Sequence, residues 1–379
     1  MKQSTLKLTA LAMLLGGVMS ANAQTADPIN VVTTAVPFLR ISPDARAGGM
    51  GDAGIATAPD ANASFWNLGK TVFAKNTSSV ALTYTPWLKD LGLNDVYLAT
   101  MGGYYKLDDQ QAISLGLRYF SLGSIQFTDA SGTPLNSGRP REFSIDLGYS
   151  RKLSAKSGVG IALRYISSDL ANGASSGGTT YKKGSSVAGD LHYFHNGAKA
   201  NGAGFNWGVT LSNLGAKISY TNDANQKDYI PANFGLGGAY TKVFDQDNKL
   251  TFALDINKLL VPTPADISDS AGLADYRSKG VVGSWFSSFG DAPGGFSEEL
   301  KELSYSLGAE YTYKDQFSFR AGYFYENPTK GNRKYFSVGA GLNYNVFGLN
   351  FTYLLPSGSG TNRNPLSTTL RFSLVFNVK

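Results

Sequence analysis

The sequence contains two histidines, His192 and His195, which are the first residues to consider for acid–base or metal chemistry. They lie in the stretch SSVAGDLHYFH, whose apolar and polar residues alternate as in a β-strand. Residues three apart on a strand point to opposite faces, so the two imidazoles cannot bind one metal ion unless a bulge intervenes. The chain has no cysteine, which excludes thiolate nucleophiles and thiolate metal sites. We therefore expect no catalytic residue, no metal site and no cofactor.

A second set of candidates consists of charged residues in the middle of predicted strands. Residues two apart on a strand point to the same face. Each of these charged residues lies on the face of its strand that carries small polar residues, and the apolar residues lie on the opposite face. The set comprises Arg118, Asp146, Arg164, Asp190, Asp255, Glu310, Arg320 and Arg371. Such a set suits a proton relay or a selectivity filter. The alternative, which we favour, is that opposite charges pair across an interior and hold another segment there, because a charge at low dielectric needs a partner.

The glycine-rich run GGMGDAG, residues 48–54, raises the question of a phosphate-binding loop. Such a loop requires Lys-Ser or Lys-Thr after the glycines and a βαβ unit around them. No Lys-Ser or Lys-Thr follows this run at the spacing of such a loop, and no βαβ unit surrounds it. Because glycine adopts positive φ without steric cost, the run instead predicts tight turns inside the fold.

Aromatic residues in the stretch VVGSWFSSFGDAPGGFSEELKEL, residues 281–303, are the candidates for contact with a partner. Trp285, Phe286 and Phe289 precede a short predicted helix that begins near Ser297, whose hydroxyl we expect to cap it. The aromatic side chains either fold back over the rest of the protein or anchor a partner. The sequence leaves both alternatives open.

The residues considered so far must be positioned by β-strands, because alternation dominates from Ser79 onward. In RKYFSVGAGLNYNV, residues 333–346, Phe336 and every second residue after it are apolar, whereas Ser, Gly and Asn lie between them. This period of two is typical of a strand with one apolar and one polar face. Fourteen segments follow the pattern, so we predict an all-β fold.

The links between the predicted strands alternate in length. Links such as DDQ and KD follow even-numbered strands, whereas GSIQFTDASGTPLNSGRPR and roughly forty residues from 261 to 301 follow odd-numbered ones. Short periplasmic turns and long extracellular loops are typical of outer-membrane barrels. A secreted β-sandwich has no reason to sort its links in this way. We therefore predict a 14-stranded antiparallel transmembrane β-barrel in the cell outer membrane, a multi-pass barrel with both termini on the periplasmic side.

In such a barrel the apolar face of each strand points to lipid, and the face with the charged residues points to the lumen. An arginine turned toward the bilayer midplane costs about 2–4 kcal/mol. Arg164 and Arg320 lie next to Leu163 and Phe319, which have the opposite parity. Segregation of all eight charges is therefore a strong indication of a lipid-facing wall.

The N-terminal residues predict export. Lys2 and Lys7 precede a short apolar run, and Ala21-Asn22-Ala23 supplies small residues at a cleavage site, so we assign residues 1–23 to a signal peptide and Gln24 to the mature N-terminus. No other segment approaches the ~20 apolar residues of a membrane-spanning helix. Residues 24–78 lack alternation and are predicted to form a periplasmic or plug segment. Residues 79–379 form the predicted barrel.

The charge of the predicted mature chain excludes one class of partner. The signal carries two of the 34 basic residues and none of the 28 acids, so the mature chain has 32 minus 28, a net charge of +4. This excess suits an anionic membrane surface but is too diffuse for a nucleic-acid footprint. We therefore expect contact with outer-membrane lipid and lipopolysaccharide, and no nucleic acid.

The run DARAGGMGDAGIATAPDANASFWNLG, residues 44–69, resembles the N-terminal element of the long-chain fatty-acid transporter family. In that family Ala-Arg and Met-Gly-x-Ala-Gly lead to an Asp and then to Trp-Asn. The matching residues of the plug motif are Arg46, Met50, Gly51, Gly54, Asp60, Trp66 and Asn67. Many members continue with Asn-Pro-Ala, whereas this chain continues Leu68-Gly69.

The longer run VPFLRISPDARAGGMGDAGIAT, residues 36–57, is similar to the PorV family of the type IX secretion system of Bacteroidetes. The resemblance implies a non-enzymatic barrel beside the translocon. It would bind cargo proteins through their C-terminal signal domains and shuttle them to the surface sortase complex, which removes the signal and attaches cargo to lipopolysaccharide.

Two alternatives to a secretion role remain at this point. An outer-membrane transporter of hydrophobic compounds would need a greasy lumen, yet the predicted lumen-facing residues are mainly Ser, Gly, Asn and charges. A lipid-modifying enzyme would need a nucleophile and a base in reach of each other. His192 and His195 point to opposite faces of one predicted strand, which weakens the interpretation of the protein as an enzyme.

Overall fold

The alternating stretches form the strands that the sequence predicts. The computed structural model describes residues 30–378 except 130, 172, 177–178, 224, 265–269, 357–363 and 365. The predicted signal peptide and Gln24 lie outside the described residues. The barrel strands are β1 Ser78–Pro86, β2 Val96–Lys106, β3 Gln111–Leu122, β4 Arg141–Lys152, β5 Ser157–Asp169, β6 Gly184–His195, β7 Gly204–Gly215, β8 Asn233–Val243, β9 Asn248–Leu259, β10 Ser304–Tyr313, β11 Phe317–Tyr325, β12 Lys334–Tyr344, β13 Phe347–Leu354 and β14 Leu370–Val378.

These fourteen strands close into one barrel. Each pairs antiparallel with the next along the chain, and β14 returns to pair with β1 from Ser78↔Val378 to Tyr84↔Phe372. Closure leaves no unpaired sheet edge, which a bilayer requires of a spanning sheet. The predicted fold class, an all-β barrel of fourteen antiparallel strands, is confirmed.

The links alternate in length as expected, so the barrel has a short-turn end and a long-loop end. Short turns include 345–346 and 314–316. The long loops carry structure of their own, in two hairpins, three α-helices and two 3-10 turns. These are Ile125–Thr128 with Pro134–Gly138, Ser175–Ser176 with Thr179–Thr180, the helices Ser270–Ser278, Val281–Ser287 and Phe296–Lys301, and the turns Lys89–Leu91 and Pro328–Lys330. The last helix begins after Gly295 with no side-chain cap, so the predicted capping by Ser297 is wrong.

The two faces of the wall differ sharply in composition. Leu163 and Phe319 are 69% and 61% exposed on the outer face, whereas the adjacent Arg164 and Arg320 are buried inside. A hydrocarbon environment favours this arrangement, since apolar side chains on the outer face need no hydrogen-bond partner there. Within the described chain, no helix has the length and hydropathy needed to cross a membrane.

Residues 36–74, which precede β1, lie inside the barrel. We call residues 36–74 the inner segment; it contains 3-10 turns at Pro37–Arg40 and Leu68–Phe73 and short α-helices at Ala45–Gly48 and Ala63–Trp66. Its backbone reaches inward side chains around the ring, for example Ala45 N to Ser373 Oγ at 3.0 Å and Gly51 N to Ser337 Oγ at 3.0 Å. The non-strand residues therefore fill the space that the strands enclose.

The first and last described residues lie at opposite ends of the barrel; the predicted termini themselves, Gln24 and Lys379, lie outside the described residues. Asn30 N donates to Thr329 O at 3.1 Å, and Thr329 belongs to a long loop. Val378 pairs with Ser78 at the short-turn end. The inner segment runs the length of the lumen before β1 begins, so an even number of strands does not return both ends to one side.

The sorting of the faces generates a stability prediction. Leu163→Arg places a guanidinium in the lipid-facing wall and lowers the free energy of unfolding by about 2–4 kcal/mol. Leu163→Phe keeps the side chain apolar and is expected to change it by less than about 1.5 kcal/mol. Urea unfolding in lipid vesicles, followed by the heat-dependent gel shift of folded barrels, measures both. Equal losses for the two variants would contradict the assignment of this face to lipid.

Candidate functional site

Arg46 links the inner segment to the barrel wall. Its guanidinium donates to both carboxylate oxygens of Glu310 at 3.0 and 2.9 Å, and to Asp60 at 2.9 Å. It also donates to the carbonyl of Ala58 at 3.0 Å. Fork-like pairing of this kind fixes orientation as well as distance. Two motif residues, Arg46 and Asp60, thus tie one turn of the segment to itself and to β10.

Trp66 connects two parts of the inner segment that are distant in sequence. Its indole Nε1 donates to Asp44 Oδ2 at 2.7 Å, while Asp44 Oδ1 accepts from Ala47 N and so caps the helix Ala45–Gly48. The ring lies over Gly54, where a Cβ would come within 2.3 Å of it. Asn67 follows, and its Nδ2 donates to the carbonyl of Tyr193 at 2.9 Å.

Met50 and Gly51 press directly against glycines of the wall. Met50 is fully buried, and a Cβ added to Gly308 would lie 2.4 Å from the Cβ of Met50. A Cβ on Gly322 would lie 2.0 Å from the backbone nitrogen of Gly51. Gly51 itself has φ +66, so an L side chain is disfavoured there. The sequence predicted a tight turn at these glycines; the structure adds a backbone-to-backbone contact that needs glycine on both partners.

The lumen charges on strands β3 to β6 form one connected chain of ion pairs. Asp146 accepts from Arg118 at 3.1 Å and from Arg164 at 2.5 Å, and Arg164 also pairs with Asp190 at 2.8 Å. Arg118 reaches the inner segment, donating to the carbonyl of Leu39 at 2.8 Å and stacking over the ring of Phe65.

A β-bulge accompanies this chain of charges. The register between β6 and β7 shifts where Asp190 faces Ser212 and Asn213. Asn213 has φ +58, and its backbone nitrogen donates to Asp190 Oδ1 at 2.6 Å. Its side chain accepts from Arg164 and donates to the carbonyl of Pro231 at 3.0 Å. The ion pairs therefore also fix the one bulge described between these strands.

The remaining lumen charges bind the inner segment directly. Arg320 pairs with Glu310 at 2.6 Å beside Arg46. Arg371 donates to Asp52 Oδ1 at 3.1 Å. Asp255 Oδ2 accepts from the backbone nitrogens of Gly54 and Ile55 at 2.7 and 2.9 Å. All eight predicted charges are buried and contact either each other or the segment, an arrangement that fits pairing better than an open relay.

Little room remains between the inner segment and the wall in the region of Arg118. The cavity beside Asn62, Thr100 and Arg118 measures about 10 Å³. This is close to the minimum that one water molecule needs. A long apolar ligand has no space at that point.

The two histidines occupy separate environments. His192 is buried with its Nε2 3.9 Å from Asp190 Oδ2, and neither ring nitrogen has a hydrogen-bond partner. His195 stacks on Trp207 with ring centroids 5.8 Å apart near the short-turn end. The bulge beside Asp190 lies on the neighbouring strand and does not bring the two rings together.

An ionic cluster holds the long loops together at the other end. Lys258 pairs with Glu299 and Glu302 at 2.8 and 2.6 Å, and Lys330 pairs with Glu298 and Glu302 at 2.5 and 3.0 Å. Burial raises the pKa of the Glu298 carboxyl group, but the hydrogen bonds from Lys330, Gly294 and Asn30 and the charge of Lys330 together outweigh burial, so the pKa is lowered. Strands β9 and β11 are thereby joined through their loops.

The first described residues are part of the same assembly. Asn30 Nδ2 donates to Glu298 at 3.1 Å, and Ala35 N donates to the carbonyl of Tyr229 at 2.9 Å. Tyr276 OH donates to the carbonyl of Thr33 at 3.3 Å. Three long loops therefore clamp residues 30–35 across the mouth of the barrel.

The loop aromatics do not fold back into the barrel. Phe286 is 75% exposed, Phe289 is 51% exposed, and Trp285 is half-buried. All three are carried by the loop between β9 and β10, next to the ionic cluster. Of the two alternatives left open by the sequence, contact with the rest of the protein is seen for Phe289, whose ring centroid lies 6.0 Å from that of Phe234, whereas the Phe286 side chain is largely exposed.

Comparison with known families agrees with the motif. The family described as Type IX secretion system protein PorV matches residues 23–266, more than half of the chain. The chain belongs to the PorV family. None of the curated proteins gives a significant match. The match covers the inner segment and strands β1 to β9, whereas wall residues such as Glu310 and Arg371, which contact the segment, lie beyond it.

Solved structures with the same fold are outer-membrane hydrocarbon transporters. The toluene transporter TbuX of Ralstonia pickettii has 10% identity and a TM-score of 0.52, with 89% of this chain and 98% of that chain covered. The toluene transporter TodX of Pseudomonas putida has 12% identity and a TM-score of 0.50, with 92% and 98% covered. At such identities the likeness shows the fold alone.

Several residues of this site escaped the sequence reasoning in spite of their type. Asp44 and Asp52 lie within the PorV-like run, but neither has a spacing to other polar residues that marks it as a contact of the wall or of Trp66. The lysines and glutamates of the ionic cluster lie in loops, where charge is ordinary. Their pairing depends on loops that are distant in the sequence, so no local pattern marks them.

The glycine contacts of the PorV-family inner segment generate a second prediction. Gly322→Ala forces the segment away from β11, since a Cβ there overlaps backbone; overpacking of this kind costs about 1–3 kcal/mol. We expect trypsin to cut after Arg46 or Lys70 in Gly322→Ala but not in the native protein. Gly283→Ala, where nothing lies within 4 Å of the new Cβ, is the control. Protection of both variants would show that the segment tolerates the added methyl group.

Proposed function

We propose that this protein is the outer-membrane component of the type IX secretion system that binds cargo through its C-terminal signal domain. In this proposal the long-loop face receives cargo from the translocon and delivers it to the surface sortase and attachment complex. The observation that carries the proposal is the PorV-family match across the inner segment and nine strands. Within that family the chain acts as a non-enzymatic binding protein.

The packing of the lumen supports a role for the outer face rather than for the interior. The inner segment acts as a plug: it is tied to β9, β10 and β14 by Asp255, Glu310 and Arg371. Opening a route through the barrel would leave these buried charges without partners, which is costly. A partner is therefore bound at the long-loop face, where loops with their own secondary structure offer a large polar surface.

The alternative function is transport of hydrophobic compounds. The fold shared with the toluene transporters favours it. The sequence identities of 10% and 12% are too low for the substrate to be inferred from those proteins. The charged lumen and the close packing beside Arg118 oppose it; the larger cavity of about 780 Å³ is lined by Leu82, Phe319 and Phe372, which belong to the outward-facing rows of the wall. We retain it as the second candidate.

Cargo binding is tested by isolating the tagged protein from its native cells under mild detergent. We expect secreted proteins that retain their C-terminal signal domains to co-purify, together with chains of the translocon. Addition of purified signal domain in excess should release the cargo, and the same cargo truncated before that domain should not bind. Recovery of bound hydrocarbon or fatty acid without cargo would favour the transporter instead.

The proposed orientation places the long loops outside the cell and Val378 at the periplasm. An epitope inserted directly before Asn30 should then be labelled on intact cells, because Asn30 is bound to the long loops. An epitope after Val378 should be labelled only after the outer membrane is made permeable. Labelling of both epitopes on the same side would contradict the path of the inner segment through the lumen.

A further inference from the structure

The loop between β9 and β10, which we call the helical loop, is described at residues 260–264 and 270–303 and carries a helix whose outward face is apolar. Its helix Val281–Ser287 buries serine and presents apolar side chains outward. Ser284 and Ser288 are fully buried, whereas Val282 and Phe286 are 60% and 75% exposed. In water a surface helix has the opposite polarity. The outward face of this helix is therefore suited to an apolar surrounding.

The polar groups on the inward face are satisfied by the protein. Ser284 Oγ donates to the carbonyl of Gly280 at 2.7 Å and lies 3.2 Å from Tyr229 OH. Ser288 Oγ donates to the carbonyl of Trp285 at 3.2 Å. The helix is thus fixed against the mouth of the barrel by its polar side, and its apolar side has no contact within the described chain that would bury it.

The register of β8 and β9 shows where the helical loop lies. Tyr240↔Phe252 and Gly238↔Leu254 belong to the outward row of the wall, in which Phe252 and Leu254 are exposed. Following this row to the long-loop end leads to the pair Phe234↔Lys258. The parity of both residues therefore directs them to the outside of the barrel.

The helical loop covers this last outward pair. Phe289 packs edge-on against Phe234 with ring centroids 6.0 Å apart. Glu299 and Glu302 bind Lys258, whose side chain is buried as a result. One side of the loop therefore meets the upper end of the lipid-facing wall, while Glu298 and Tyr276 bind Asn30 and Thr33 at the mouth of the barrel.

From these observations we propose that the helical loop is an interfacial membrane element. Val282, Phe286 and Phe289 insert at the boundary between headgroups and acyl chains of the outer leaflet, with Trp285 at the interface. The three apolar positions follow the spacing i, i+4 and i+7 and continue the apolar wall through Phe234. Aromatic residues at such a level are typical of membrane-spanning barrels.

A lipid surface fits these contacts better than a protein partner does. The apolar stripe is continuous with Leu236 and Leu254, which face lipid in any closed barrel of this parity. A partner bound through the stripe would have to enter the bilayer boundary at the same place. The inference is independent of cargo binding, which we place on the long-loop face as a whole.

The absence of cysteine allows a direct test by spin labelling. Single nitroxide labels are placed at Phe286→Cys, at Leu254→Cys as the lipid-facing control and at Thr133→Cys in an exposed hairpin as the water-facing control. The full-length protein is examined in nanodiscs of phosphatidylcholine and phosphatidylglycerol. We expect the label at 286 to collide with oxygen several-fold more than with a water-soluble nickel complex, as at 254. A ratio equal to that at 133 would overturn the proposal.

A second measurement keeps the native phenylalanine in place. In a Trp87→Phe/Trp207→Phe background, Trp285 is the tryptophan within reach of lipid, because Trp66 is bound to Asp44 inside the barrel. Phospholipids brominated near the headgroup should quench Trp285 fluorescence by at least a third. Phe286→Ser should weaken the quenching and Phe286→Leu should preserve it. Absence of quenching, or its appearance only when translocon or cargo is removed, would instead identify the stripe as a protein-binding surface.

Discussion

The constraint on which the structure depends is that hydrocarbon offers no hydrogen-bond partner to a polar group. Charged side chains on membrane-spanning strands must therefore turn inward, where each needs a counter-charge or a backbone group. Arg118, Arg164 and Arg320 meet this need through Asp146, Asp190 and Glu310. The same requirement makes the inner segment part of the barrel rather than an accessory to it, because several wall charges find partners only there.

The fit between the inner segment and the wall rests on two kinds of contact that reinforce each other. Ion pairs such as Arg46 with Glu310 give direction, while glycine-to-glycine approach at Gly51 and Gly322 lets the backbones come close enough for those pairs to form. A barrel filled in this way keeps the fold of hydrocarbon transporters with little free volume near Arg118. Its distinctive chemistry is therefore at the rim.

At the rim, the first described residues, the helical loop and the loop after β11 share one set of contacts. Glu298 touches both Asn30 and Lys330, and Glu302 touches both Lys258 and Lys330. A partner that displaced any of these elements would act on all of them. The long-loop face thus behaves as a single surface with an aqueous side and, at the helical loop, a side directed to lipid.

The sequence by itself determined the strand count, the alternation of links and the inward parity of the eight charges, because each follows from a local period of two. It also carried the family resemblance in residues 36–57. Only the tertiary structure decided which charges pair, that Asn30 lies at the end opposite to Val378, and that Phe234 and Lys258 are covered from outside. These features arise between segments up to some three hundred residues apart, and local pattern holds no information about which distant segments meet.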